Sequence, residues 1–274
     1  MAFDLSSPAL FLFVPADRPD RWEKAFGAGA DAVILDLEDA VAAYAKPVAR
    51  RALREGRDAI VAAPCPILVR INARSSEENE HDLAAVRDLG LVGVMLAKTE
   101  TAEDVEATLA ATGTQVVALI ESARGLAAAR PIATAAARIA FGSIDYAADL
   151  GMAHTRAALA LARAELVLAS RLAGRAAPVD GVTTSVKDTE AVRADAAHAC
   201  EVGFSGKLLI HPAQIEPAME GFRPSADDLA WAERVLAARG AGATAIDGAI
   251  VDAPVLLRAE QIVRRAARFR SPGA

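Results

Sequence analysis

Cysteine is nearly missing from this chain, with only Cys65 and Cys200 among 274 residues. Their placement has neither metal-ligand nor redox spacing, which sets aside zinc-ribbon, CxxC and disulfide-framework architectures. Aromatic residues make up 4%, too few for base-stacking platforms or aromatic ligand cages. Positive charge is in deficit, with 30 Lys and Arg against 36 Asp and Glu and a net charge of −6. That balance argues against nucleic acid as the main partner, because a phosphate backbone calls for a basic footprint. No apolar run approaches the ~18 residues of a membrane span. The start, MAFDLSSPAL, lacks the basic and long apolar regions of a secretory signal. The expectation is a soluble, cytoplasmic protein with no membrane or nucleic-acid partner.

What the chain does have is hydrophobic residues, 53% of the total, arranged in a repeating order. Short aliphatic runs such as AVILDL, PILVRI and VVALI read as strands buried on both faces, since a half-exposed strand would alternate. The predicted strands are Leu10–Ala16, Ala32–Asp39, Pro66–Asn72, Val92–Lys98, Gln115–Ser122, Arg138–Ser143, Pro178–Thr183 and Gly206–Pro212. Amphipathic segments lie between them, and a short helix at Ala213–Gly221 completes the eighth unit. Eight strands with intervening helices predict a (β/α)8 TIM barrel over residues 1–222, with an open doubly wound sheet as the alternative. Residues 223–274 exceed what closing a barrel requires. They read as a C-terminal helical extension: a helix at Ser225–Arg239, a Gly/Ala-rich turn (GAGATAIDG) and a helix at Pro254–Phe269. This tail either packs on the barrel's flank or reaches a neighbouring subunit.

A barrel builds its active site at the C-terminal ends of its strands, and there the sequence turns polar. The second strand ends Asp36-Leu37-Glu38-Asp39, the third Arg70-Ile71-Asn72, the fourth in Lys98 and the fifth in Glu121-Ser122. The sixth runs into Ser143 and Asp145, the eighth into His211. One such residue is a solvated cap; six strands sharing the habit predict one polar pocket. Glu121 and Asp145 offer hard carboxylate oxygens suited to Mg²⁺ or Mn²⁺, while no His or Cys pair has zinc spacing. The alternative is a structural bridge from Glu121 to Arg70 or Arg124. Arg70 has a planar fork that matches a substrate carboxylate or an enolate oxygen; neutralising the DLED carboxylates is its other reading. Strand alternation puts Asp36 and Glu38 on one side and Asp39 on the other. Packed together, these carboxylates need arginine, water or metal nearby.

Eight segments, taken in order, resemble the citrate lyase beta-subunit-like family within the HpcH/HpaI aldolase superfamily. They are LFVPADRP (12–19), GADAVILDLEDAV (29–41), VRIN (69–72), AKTE (97–100), ALIESARG (118–125), FGSIDYAADLG (141–151), GKLLIHPAQI (206–215) and VDAPVLLRA (251–259). The resemblance implies Glu121 and Asp145 as metal ligands and Arg70 as the arginine that steadies an enolate. It also implies Asp252 as an acid–base residue lent to a neighbouring subunit. Arg18 and Lys24 are implied as contacts to the coenzyme A phosphates; Lys98, from its strand end, is a candidate contact to the substrate, and Asp36, Glu38 and Asp39 are expected to support the site from behind. Many relatives carry glycine after the proline of the first motif, where this chain reads PADRP. The implied activity is cleavage of a 3-hydroxy-dicarboxylic acyl-CoA, of the citramalyl-CoA or malyl-CoA type, to acetyl-CoA and a 2-keto acid. The implied assembly is a homo-oligomer, a trimer or hexamer. The alternatives are a citrate lyase beta subunit acting on a carrier-bound thioester, a malyl-CoA thioesterase, and a non-catalytic binding protein.

Overall fold

The computed structural model describes residues 5–6, 9–239, 245–246 and 249–269. Eight parallel strands close into a barrel in chain order: β1 (Leu10–Pro15), β2 (Ala32–Asp36), β3 (Ile67–Ile71), β4 (Gly93–Leu96), β5 (Gln115–Ile120), β6 (Arg138–Phe141), β7 (Val179–Asp180) and β8 (Gly206–Leu209). Closure comes from β1 against β8, with Phe11 paired to Leu208. The open doubly wound alternative is thereby ruled out.

Continuous apolar strands are needed because both faces are covered. One set of side chains, including Phe11, Ile34, Leu68, Met95, Val117, Leu119 and Leu208, fills the barrel interior. The alternate set, including Leu12, Val33, Leu35, Val69, Val94 and Ala118, packs outward under the helices. The interior is therefore a packed core and not a channel. Its floor is closed by Arg138, whose Nε donates to the Ala177 carbonyl (2.9 Å) and Nη2 to Ser205 Oγ (2.9 Å).

Several helices begin where a short polar side chain satisfies free backbone N–H groups. Thr101 and Asp104 form a reciprocal capping box at Ala102–Thr112, and Ser122 caps Ala123–Ala127 by accepting from Gly125 N. The latter corrects the fifth predicted strand, which stops at Ile120 and leaves Ser122 as a cap. All eight strands end earlier than predicted, and two of the others do so for a related reason. Beyond Asp36, the Leu37 and Glu38 carbonyls accept from Lys46 Nζ at 2.7 and 3.0 Å. Beyond Asp180, the Gly181 and Thr183 carbonyls accept from Lys207 Nζ (2.7 Å) and Gln214 Nε2 (2.8 Å). Side chains take over from the strand ladder at these points.

After the eighth unit the helix Ala226–Ala237 packs against Ala253–Arg268 around a small separate core of Ala232, Val235, Ala259 and Ile262. Of the predicted Gly/Ala turn at 240–248, only residues 245–246 lie within the described residues, paired with 249–250. The far end of the last helix is tied to the barrel: Phe269 stacks on Phe222 at 5.6 Å, and the Phe269 carbonyl accepts from Arg223 Nε at 2.7 Å. Among the described residues no helix is long and apolar enough to cross a membrane.

Candidate active site

Strand parity assembles the site. Phe11, Ile34, Leu68 and Leu119 point into the barrel, so two residues further on Phe13, Asp36, Arg70 and Glu121 do the same at its C-terminal mouth. There Phe13, Arg70, Glu121, Phe141, Ser143 and Asp145 line a cavity of about 60 Å³. The two predicted metal ligands and the predicted arginine thus share one wall.

Arg70 sits beside Asp36 in the β2–β3 register. Its Nε and Nη2 grip Asp36 Oδ1 and Oδ2 at 2.7 and 2.6 Å, and Nη1 lies 3.0 Å from Glu38 Oε2. The guanidinium also lies 4.7 Å from the centre of the Phe13 ring. Both readings of Arg70 therefore meet in one side chain. Its fork is committed to the DLED carboxylates, and of its five N–H donors one on each terminal nitrogen is left for the cavity. Burial opposes its charge, but Asp36, Glu38 and Glu121 outweigh that and raise its pKa.

Asp36 is saturated, since its oxygens also accept from the Glu38 and Ala40 amides at 2.9 and 3.1 Å. Glu38 is buried, which pushes its pKa up, while Arg70 and Lys98 pull it down. Asp39 is exposed in the turn beyond β2, where strand alternation no longer applies, and reaches Lys98 Nζ at 3.5 Å. Lys98 also bonds Glu38. Burial disfavours its ammonium, but the bond to Glu38 and the charges of Glu38, Asp39 and Glu121 hold the Lys98 pKa above its usual value. The side chain predicted to meet substrate is thus paired within the carboxylate cluster.

Glu121 is 3% exposed, and its Oε1 accepts from the Lys98 backbone N at 2.7 Å. Lys98 adopts a left-handed backbone, φ 47°, a conformation that side chains other than Gly, Asn and Asp seldom hold. Gly142 leaves the space that Glu121 fills, for a Cβ there would overlap the carboxylate. Burial, and then the nearby carboxylates of Glu38 and Asp145 against the pull of Arg70 and the Lys98 amide, pushes the Glu121 carboxyl up to about 8. A buried carboxylate flanked by like charge calls for a cation. Among the described residues no group of three or more His, Cys, Asp and Glu side chains could hold a metal. Two carboxylates with room for water and substrate oxygens nevertheless fit Mg²⁺, which takes one or two carboxylates and keeps the rest of its shell wet. The bridge from Glu121 to Arg124 does not form: Arg124 is exposed and lies 3.9 Å from Glu100.

The other predicted residues lie apart. Arg18, in the loop after β1, is paired with Asp20 at 2.9 and 2.8 Å. Lys24 is on the exposed face of Trp22–Phe26. Neither is on the cavity wall. Asp252 is the exposed N-cap of the last helix, accepting from Val255 N at 3.1 Å, and is also off that wall.

Sequence reasoning missed the residues that brace the site from behind. Lys46 Nζ also donates to Asn72 Oδ1 (2.8 Å), and Asn72 Nδ2 donates to Asp82 Oδ2 (2.6 Å). Asp82 Oδ1 in turn accepts from Arg50 Nε at 2.7 Å. The signal was a lysine at the start of a helix that burial singles out, and burial is not visible in one sequence. Also missed was a hydrogen bond of 2.9 Å between Ser143 Oγ and His154 Nε2.

Known proteins complete the picture. The family model described as HpcH/HpaI aldolase/citrate lyase matches residues 9–212. A citrate lyase subunit beta-like protein of Mycobacterium tuberculosis is 40% identical over 272 residues, covering 95% of this chain and 96% of the relative. A (3S)-malyl-CoA thioesterase of Cereibacter sphaeroides is 34% identical over 274 residues, covering 95% and 96%. The crystal structure of CitE from Mycobacterium tuberculosis in complex with magnesium, acetoacetate and coenzyme A superposes with a TM-score of 0.85 at 39% identity, covering 96% of this chain and 100% of that one. The barrel, its mouth and these likenesses agree: the chain belongs to the HpcH/HpaI aldolase/citrate lyase family.

Proposed function

We propose that this chain is a metal-dependent carbon–carbon lyase that cleaves a 3-hydroxy-dicarboxylic acyl-CoA, of the citramalyl-CoA or malyl-CoA type, to acetyl-CoA and a 2-keto acid. Membership of its family makes it a lyase-type enzyme. The observation that carries the finer reading is the shared cavity wall of Glu121, Asp145 and Arg70. A pocket of about 60 Å³ matches the small keto-acid portion and leaves a coenzyme A thioester to lie across the mouth. The relative solved with magnesium, acetoacetate and coenzyme A supports the same class of ligand.

Glu121 and Asp145 are the residues that would hold Mg²⁺ or Mn²⁺. When bound, the ion supplies Lewis-acid polarisation of the substrate's oxygens. Arg70 directs its remaining N–H groups at the carboxylate and at the enolate oxygen formed as the bond between C2 and C3 breaks. Phe13, Phe141, Val182 and Leu208 keep bulk water from that enolate. Lys98, besides donating its amide to Glu121, fixes Glu38 beneath Arg70. Arg18 and Lys24, outside the cavity, are our candidates to meet the phosphates of coenzyme A, with Arg18 exchanging its partner Asp20. Asp252 is our candidate to exchange the proton at the enolate carbon. It is not on the cavity wall of its own chain, which is in keeping with delivery to a neighbouring subunit by the 223–274 extension, in a trimer or hexamer. We place the protein in the cytoplasm.

The test is a product assay with (S)-citramalyl-CoA and malyl-CoA, with Mg²⁺ or EDTA, alongside Glu121→Ala. Metal-dependent acetyl-CoA with pyruvate or glyoxylate, lost in the variant, is the expected result. Free coenzyme A with intact citramalate or malate would replace the lyase by a thioesterase, the reading that the Cereibacter relative favours. Mixing inactive Glu121→Ala and Asp252→Ala proteins tests the shared site: recovered turnover is expected if one subunit lends Asp252 to another.

A further inference from the structure

Cleavage of a 3-hydroxy thioester has two proton problems. The hydroxyl must lose a proton as the C2–C3 bond breaks, and the enolate carbon must gain one. Asp252 answers only the second, and the carboxylates that could answer the first are occupied. Asp36 is held by Arg70 and two amides. Glu38 is held by Arg70, Lys98 and the Asp39 amide. Glu121 and Asp145 are metal ligands in our reading.

Ser143 remains. It is 2% exposed and on the cavity wall, with its hydroxyl 2.9 Å from His154 Nε2, while His154 is exposed to solvent. The pairing is built by the local chain. The helix Ser143–Asp149 ends in a reversal, with Met152 N donating to the Ala147 carbonyl (2.9 Å) and Gly151 left-handed at φ 64°. This is the 6→1 bond and αL residue of a Schellman stop. The chain then returns along the helix and sets His154 against its first residue. On the other side Gly181 makes room, because a Cβ there would overlap the Ser143 hydroxyl.

Resting on the lyase reading, we propose that Ser143 and His154 form a proton relay for the substrate hydroxyl. Ser143 Oγ accepts the hydroxyl proton while passing its own to His154 Nε2, and the imidazole exchanges with solvent. The electron pair of the C2–C3 bond becomes that of the enolate, and the former hydroxyl oxygen becomes the keto oxygen. The serine carries no net charge before or after, and no oxidant or further reactant is required. In the condensation direction the relay returns the proton to the nascent hydroxyl. Ser143 is thus a catalytic residue, and His154 a positioning residue that acts through it.

The relay serves only the hydroxyl, which makes it separable from enolate formation. Ser143→Ala and His154→Gln are expected to lower kcat for cleavage by about 10²–10⁴-fold, the range of general acid–base catalysis, with KM and the thermal midpoint little changed. Both are expected to retain keto-acid-dependent exchange of the acetyl-CoA methyl protons in D₂O, which needs only the enolate. Because His154 is exposed, free imidazole is expected to restore turnover to His154→Ala and not to Ser143→Ala. Wild-type-like cleavage in either variant would overturn the relay, as would equal loss of exchange and cleavage. Full activity of His154→Gln, which keeps a hydrogen-bond acceptor but cannot carry the proton, would do so too. A wild-type protein that forms no acetyl-CoA would instead sink the lyase reading itself.

Discussion

The barrel buries an arginine at each end, and the two are held in opposite ways. At the floor, Arg138 donates hydrogen bonds to the Ala177 and Leu5 carbonyls and the Ser205 hydroxyl, three neutral partners among the described residues. At the mouth, Arg70 gives its bonds to Asp36 and Glu38, with Glu121 and Asp145 on the same cavity. Four carboxylates there face Arg70 and Lys98, an excess of negative charge in a poorly solvated place. Folding alone has no use for that excess, since a buried ion pair seldom outperforms a well-packed apolar one. The floor is built for closure. The mouth is built to receive positive charge, and the raised pKa of Glu121 is what this costs when no cation is present.

The contrast breaks most visibly at Glu121. Glu121→Ala is expected to cut Mg²⁺-dependent turnover by about 10³-fold or more, the loss of several kcal/mol of charge stabilisation, while circular dichroism still shows a folded barrel. Retained turnover would mean that the charge excess has a structural purpose after all. Arg138→Met should do the reverse. It strands the buried Leu5 and Ala177 carbonyls and costs about 2–4 kcal/mol in a denaturant titration, with kcat per folded molecule unchanged. If the floor variant loses kcat and keeps its stability, the two ends are not divided as described.

That division was only partly legible in the sequence. Continuous aliphatic runs marked several of the eight strands, because burial on both faces leaves no alternation to misread; the seventh, Val179–Asp180, has no such run. Strand ends were overshot at Asp36 and Asp180, where Lys46, Lys207 and Gln214, distant in sequence, satisfy the next carbonyls. Parity did not hold for Glu38 and Asp39, because the strand stops at Asp36 and both residues, in the turn beyond it, meet Lys98. Nor could parity show Arg70 committed to Asp36, which depends on the β2–β3 register. Arg138 read as the start of a strand and gave no hint of plugging a floor. Ser143 and His154 are eleven residues apart, a spacing that means nothing without the reversal at Gly151. A glycine closing a short helix was the available clue. Arg18, Lys24 and Asp252 were reached through resemblance alone, and none of them is on the cavity wall among the described residues.

Proton linkage sharpens the comparison with a smaller effect. In metal-free protein, folded Glu121 holds its proton to about 8, whereas the ordinary glutamate value is 4.5. Between those values the folded state binds a proton that the unfolded state has released. The associated stability is therefore fully present below the ordinary value and is lost as pH rises through about 8. Glu121→Gln removes this dependence. With EDTA, wild type minus Glu121→Gln stability should fall by about 1–3 kcal/mol between pH 5 and pH 8.5, read from urea midpoints at each pH. A pH-independent difference would show that Glu121 is ionised throughout and its charge already balanced.

The smallest effect separates the two contributions of Lys98. Its backbone N–H holds Glu121 from a left-handed conformation, while its ammonium holds Glu38 and Asp39. Lys98→Gly keeps the N–H and removes about 1–2 kcal/mol of backbone strain. It also loses a half-exposed ion pair, a contribution of about 1 kcal/mol or less. The two changes nearly cancel, so stability should stay within about 1 kcal/mol of wild type, and Mg²⁺ affinity by calorimetry should hardly move. Lys98→Val loses the same ammonium and adds a β-branched side chain where φ is positive, so it should be the less stable of the two and bind Mg²⁺ more weakly. Equal behaviour of Gly and Val would assign the role of Lys98 to its ammonium, because only the backbone distinguishes these variants.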